Sequence, residues 1–245
     1  MYHTMGKIMS QANHRTRRFL TSLIIAVAII AFGFWQDHVN QQALPQSNKN
    51  SVPAAQAGSG SAVAALNSLT VKGRAPKTGY ARTQFGDGWR TSGSCNTRDD
   101  ILTRDLQNTV IKDCKVTSGT LSDPYTGKTI QFTRGPQTSS AVQIDHVVAL
   151  GDTWQTGAQQ LSFATREDLA NDPLELLAVD GPANQAKSDG DAATWLPSNK
   201  PYRCRYVARQ VAVKQKYSLW VTNAEKAAIQ NVLSTCPTQQ LPTTS

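Results

Sequence analysis

Two reactive side chains stand next to each other in VQIDHVVALGDTW (142–154): the carboxylate of Asp145 and the imidazole of His146, among Ile144, Val147, Val148 and Leu150. An ionised group in so apolar a run is costly unless it is paired or holds a metal. The pair is therefore either a structural contact or part of an active site. The chain has four histidines, His3, His14, His38 and His146. Three of them fall early, so any histidine chemistry in the rest of the chain rests on His146. A multi-histidine zinc site is excluded for a monomer, and no G-x-S-x-G marks a serine hydrolase. Downstream, DGPANQAKSD (180–189) carries Asn184 and, one helical turn later, Lys187. Strand, strand, then helix would bring the imidazole and hard oxygen donors to one pocket. Mg²⁺, or Mn²⁺, accepts one or two such oxygens and keeps several waters, while the imidazole takes a proton from water. Alone, a histidine beside an aspartate is more often a satisfied core residue. The arrangement around it is what favours chemistry.

The elements that must position these residues are legible from period and punctuation. NTRDDILTRDL (96–106) reads as a helix capped by Asn96 or Thr97, with Ile101, Leu102 and Leu106 on one side. Four cysteines without C-x-x-C spacing argue for two disulfides in an exported protein, with Cys95–Cys114 and Cys204–Cys236 favoured among three pairings. If Cys95 and Cys114 are bonded, the helix must stop near Gln107–Asn108, because a longer one holds them beyond disulfide reach. KVTSGTL and TIQFTR then flank the turn-rich SDPYTGK as a hairpin. VQIDHVVAL is a strand, Thr165–Ala170 a helical patch and LELLAV (174–179) a second strand. Asp180 and Pro182 open the helix that bears Asn184. Two helices follow, with Cys204 and Cys236 on their apolar faces. The fold class is α+β: a small antiparallel sheet with helices, stapled by disulfides. One difficulty is built in. Neighbours in a regular strand point to opposite faces, so Asp145 and His146 share a pocket only through a bulge or the strand's end. Otherwise Asp145 is structural.

The formal charge is +8, and half of it lies in the first 50 residues. That permits a polyanionic partner without demanding one. Hydrophobic content of 39% excludes a disordered chain. The basic NHRTRR precedes an uncharged run from Phe19 to Trp35, read as a signal peptide or an uncleaved membrane anchor over residues 1–36. A tether follows at 37–69, then a globular domain at 70–236 and a frayed tail at 237–245. Arg98 could clamp a phosphate or form a salt bridge at its helix start. Asp172 and Asp180 read as turn and cap, Asp189 and Asp191 as a solvated loop, Trp154 and Trp195 as packing. Lys200, Arg203, Arg205, Arg209, Lys214 and Lys216 form either a solvated face or a track for a nucleic-acid backbone.

Together CNTRDDILTRDL, SGTLSDPYTGKTIQF, QIDHVVALGDTWQTGA, ANDPLELLAVDGPANQAKSD, WLPSN and YRCRYVARQVAVKQKY resemble the secreted HNH-type endonucleases of the ββα-metal fold, particularly the actinobacterial group. The resemblance covers roughly Gly93 to Cys236. It implies a phosphodiesterase with His146 as general base, Asp145 and Asn184 facing a divalent metal (Mg²⁺, or Mn²⁺), and Lys187 near the phosphate. Its substrate would be DNA in preference to RNA, and its state a monomer. Glu175 occupies the middle position of the pattern, where asparagine is expected, which leaves its loop-pinning role open. Asn184 stands where the second histidine would be. A non-catalytic extracellular module binding nucleic acid or cell wall is the alternative.

Overall fold

A computed structural model describes residues 60–242. The apolar run Phe19–Trp35, the stretch before residue 60 and His3, His14 and His38 lie outside the described residues. Among those described, no helix is long and apolar enough to cross a membrane.

Helix α1 (Ala62–Ser68) is capped by the Ser61 hydroxyl and buries Ala62, Ala65 and Leu66. The chain beyond Cys236 returns to it: the Ala62 amide donates to Gln239 and the Leu241 amide to Gly60. Both segments therefore belong to the packed body. After the short ribbon of β1 (Thr91–Ser92) and β2 (Cys95–Asn96), helix α2 (Thr97–Asp105) starts where Asn96 Oδ1 accepts the Asp99 amide. It ends at Leu106, as the disulfide argument requires, and Cys95 is bonded to Cys114 with Cα atoms 5.0 Å apart.

The chain doubles back as β3 (Gln107–Lys112) and continues as β4 (Lys115–Ser122) and β5 (Thr129–Thr133) in an antiparallel sheet. Asp113 and Cys114 both have positive φ, the two-residue hairpin geometry whose twist matches the flanking strands. The β4–β5 turn is held by Asp123, whose Oδ2 accepts from the Thr126 amide and hydroxyl.

Strand β6 (Val142–His146) and, after α3 (Leu150–Gln155) and α4 (Phe163–Ala170), strand β7 (Leu176–Asp180) form an antiparallel pair of their own. Asp180 caps α5 (Gly181–Lys187) by accepting the Ala183 amide. A Cβ at Gly181 would lie 2.1 Å from the Ser140 carbonyl, so only glycine lets the helix start this close to the 3₁₀ turn that precedes β6. Thus the antiparallel sheet expected as one is several small ones. The β6–β7 ribbon is apolar on both faces: Val142, Ile144, Leu176 and Ala178 face the core of α2 and the three-stranded sheet, while Leu177 and Val179 join the larger core. That core includes α6 (Arg203–Lys216) and α7 (Asn223–Leu233), bridged by Cys204–Cys236.

Candidate functional site

The β6–β7 register runs without interruption through Asp145↔Leu177 and His146↔Leu176. No bulge re-aims either residue, and the two side chains leave opposite faces of the ribbon. Asp145 points to the side of α5. Its Oδ2 accepts the Tyr125 hydroxyl, and its Oδ1 accepts the Lys187 ammonium at 2.9 Å. Lys187 is itself buried and also donates to the His146 carbonyl at 2.8 Å. Burial raises the Asp145 pKa, and the Lys187 charge opposes that rise.

His146 leaves the other face. Its Nε2 lies 3.0 Å from the Ala170 carbonyl and its ring stacks on Trp89, with centroids 5.7 Å apart and planes 7° apart. A carbonyl oxygen only accepts, so Nε2 carries the proton and Nδ1 holds the lone pair. Burial, reinforced by the Arg82 charge, pushes the imidazole pKa down to about 3. His146 is therefore neutral across the physiological range.

A cavity of about 330 Å³ lies where β6 ends, bordered by Asp145, His146 and Asn184. Tyr80, Arg82, Gln143 and Asp189 complete much of its rim. Asn184 donates from Nδ2 to Gln143 Oε1 at 2.9 Å, which leaves its amide oxygen uncommitted. Asp189 is ion-paired with Lys77. Arg82 makes no ion pair or side-chain hydrogen bond among the described residues, so its charge is free to meet an anion.

The remaining sequence candidates do not line this cavity. Lys187 lies behind it, committed to Asp145. Glu175 is fully buried below the strand; Val148 donates to its Oε2 at 3.3 Å and its Oε1 has no partner. Burial raises its pKa well above its ordinary value, which favours the protonated form. Arg98 spends its guanidinium on the Val142 carbonyl at 3.2 Å. The segment that presents the Ala170 carbonyl to His146 is stapled instead by Asn171. Its Oδ1 accepts from the Arg90 amide and the Thr97 hydroxyl, and its Nδ2 donates to the Glu167 carbonyl.

Arg82, Tyr125 and Asn171 carry no sequence signal that marks them for the site. Tyr125 sits in a stretch whose composition says exposed turn, yet it is fully buried. Arg82 precedes every recognisable motif of the domain, the first of which begins at Cys95. Asn171 stands four residues before Glu175, in a turn whose composition gives no sign of its role. The basic stretch around α6 is partly committed: Lys214 is buried against Asp152 and Glu225, Lys216 pairs with Asp172, and Arg203 and Arg209 donate to backbone carbonyls, while Lys200 and Arg205 are exposed. Asp191, expected in a solvated loop, is buried against Arg74.

Among the described residues no group of three or more His, Cys, Asp or Glu is clustered as a metal cage. Of the metal-ligand candidates, Asp145 and Asn184 both border the cavity, the Asn184 amide oxygen uncommitted and the Asp145 carboxylate held by Tyr125 and Lys187. A carboxylate has about four lone-pair sites, of which two are used here. A pair of hard oxygens beside open space suits a small divalent cation that retains its waters.

Two comparisons place the chain. A protein from Arthroderma benhamiae named "Uncharacterized secreted protein" is 39% identical over 174 residues, which covers 70% of this chain and 82% of that relative. No solved structure matches. Residues 96–232, which run from the cap of α2 through β6, β7 and α5 to the last turn of α7, match the family described as "GmrSD restriction endonucleases, C-terminal domain". The chain belongs to the GmrSD restriction endonuclease C-terminal domain family.

Proposed function

We propose that the protein is an extracytoplasmic endonuclease that hydrolyses phosphodiester bonds in nucleic acid, DNA in preference to RNA, with His146 as the general base. One observation carries this reading: a neutral imidazole, its Nε2 fixed on the Ala170 carbonyl, borders an open cavity shared with an unpaired guanidinium and two hard oxygen donors. The family assignment supports a nuclease-type activity. Two disulfides and the relative named as secreted support an oxidising location.

In this mechanism the phosphodiester enters the cavity and Arg82 neutralises a non-bridging oxygen. Nδ1 of His146 accepts a proton from the attacking water. Burial keeps that nitrogen unprotonated at neutral pH. The phosphate offsets the Arg82 charge that depresses the imidazole pKa, which raises its basicity when substrate is bound. The Ala170 carbonyl holds the ring plane and stabilises the imidazolium that forms. Asp145 and Asn184 would hold a divalent cation, Mg²⁺ or Mn²⁺. Bound there, it would supply Lewis-acid stabilisation of charge on the phosphate and the leaving oxygen. Lys187 keeps the Asp145 carboxylate ionised and aimed.

The test is plasmid and oligonucleotide cleavage by wild type and His146→Ala, each with Mg²⁺ or Mn²⁺ and after exhaustive EDTA. The variant should lose about 10²–10⁴-fold in rate while its circular dichroism stays native, and EDTA should abolish wild-type cleavage. Near-wild-type cleavage by His146→Ala would sink the mechanism. Full activity after EDTA would remove the cation from it.

A further inference from the structure

A second cavity, of about 130 Å³, opens on the Trp89 side of His146. A single water needs about 10–15 Å³ on such a measure, so the space is several waters large, of the order a planar ring requires. Arg82, His146 and Leu150 border both cavities, and the remaining wall is Phe85, Gly86, Gly88, Trp89 and Ala170. That wall contains no carboxylate and no ammonium. Arg82 supplies the charge at its rim.

The wall is built rather than draped. Phe85 packs edge-on against Trp154 in the core. Arg166 donates to both the carbonyl and the side chain of Gln84, and Asn171 receives the Arg90 amide. Between these anchors Gly86 and Gly88 have φ of +98° and +100°, a backbone that keeps side chains out of the wall. Trp154 and Trp220 spend their indole N–H groups on backbone carbonyls, whereas that of Trp89 has no partner among the described residues and is not closed off from solvent.

We propose that this cavity is a nucleobase subsite: it takes the unpaired base of the nucleotide adjoining the phosphate held at Arg82 and His146. This deepens the nuclease reading and rests on it. The substrate class it names is single-stranded, or locally unpaired, nucleic acid, because a base held in a duplex stack cannot enter a recess beside the scissile phosphate. An aromatic wall without a carboxylate or ammonium suits any base and selects none, so sequence specificity is not expected.

Binding tests the subsite independently of cleavage. Deoxynucleoside 5′-monophosphates and 2-deoxyribose 5-phosphate are titrated calorimetrically into the full chain. The nucleotides should bind about tenfold more tightly than the sugar phosphate, the low end of what stacking one base contributes. Ala170→Leu, which fills the cavity, and Trp89→Ala, which removes its aromatic wall, should each erase that advantage, with near-ultraviolet dichroism reporting that each variant has folded. Equal affinity of wild type for the two ligands overturns the subsite, as does an advantage that survives both variants. Failure of the nuclease reading looks different: no cleavage of any substrate, whatever the binding titration gives. In an active enzyme, equal cleavage of single strands with and without an abasic site beside the scissile bond overturns the subsite alone.

Discussion

At the scale of residues, Asp145 is defined by what compensates it. A buried carboxylate with one ammonium and one phenol is stable only while both remain, since removing one partner of a buried pair leaves an uncompensated charge. Lys187→Met should therefore destabilise the protein by about 3–5 kcal/mol, read from urea unfolding at neutral pH. Asp145→Asn combined with Lys187→Met should recover most of that loss, because no charge is then stranded. A single-variant cost below about 1 kcal/mol would show that Asp145 finds its counter-charge elsewhere. His146 answers to a different logic: its environment supplies orientation and neutrality, through the Ala170 carbonyl, the Trp89 face and the nearby Arg82.

At the scale of elements, the decisive unit is the junction of α4 and β7, which presents the Ala170 carbonyl. Asn171 holds it with three hydrogen bonds to three separate backbone or side-chain partners. Asn171→Ala leaves those partners unsatisfied and should cost about 1–3 kcal/mol of stability. It should also lower kcat more than it raises KM, because the base loses its support while the phosphate site is untouched. Steady-state cleavage kinetics beside a thermal melt would separate the two effects; an unchanged kcat would mean that His146 is oriented by Trp89 alone. Glu175 is expected to behave otherwise. It is buried without an ion-pair partner, and burial favours its neutral form, so Glu175→Gln should leave both the fold and the rate close to wild type.

At the scale of the whole molecule, α3, α6 and α7 meet at a buried charge cluster in which Lys214 contacts both Asp152 and Glu225, with Arg74 on the far side of Asp152. Burial raises the Glu225 pKa from 4.5 to about 7, against the pull of Lys214. A carboxyl whose folded pKa is raised binds its proton more tightly when folded, so its contribution is fully present below pH 4.5 and is lost as pH rises through 7. Urea midpoints measured from pH 4.5 to 7.5 should fall more steeply for wild type than for Glu225→Gln; parallel slopes would refute the shift. Much of this architecture was legible in advance. The caps at Asn96 and Asp180, the disulfide pairs, the hairpin over SDPYTGK and the strand–strand–helix order all follow from local signals, because capping, turn chemistry and periodicity act over a few residues. Counting histidines singled out His146 for the same reason: composition needs no geometry. What lay beyond the sequence was which faces meet. Tyr125 reads as turn and Arg82 belongs to no motif, and only packing carries one to Asp145 and the other to the rim beside His146. Lys214 reads as surface charge until three helices close around it. Adjacent in sequence, Asp145 and His146 become separate parts, one anchored by an ion pair and the other by a carbonyl, because a regular strand sends neighbours to opposite faces and tertiary packing decides what each face meets.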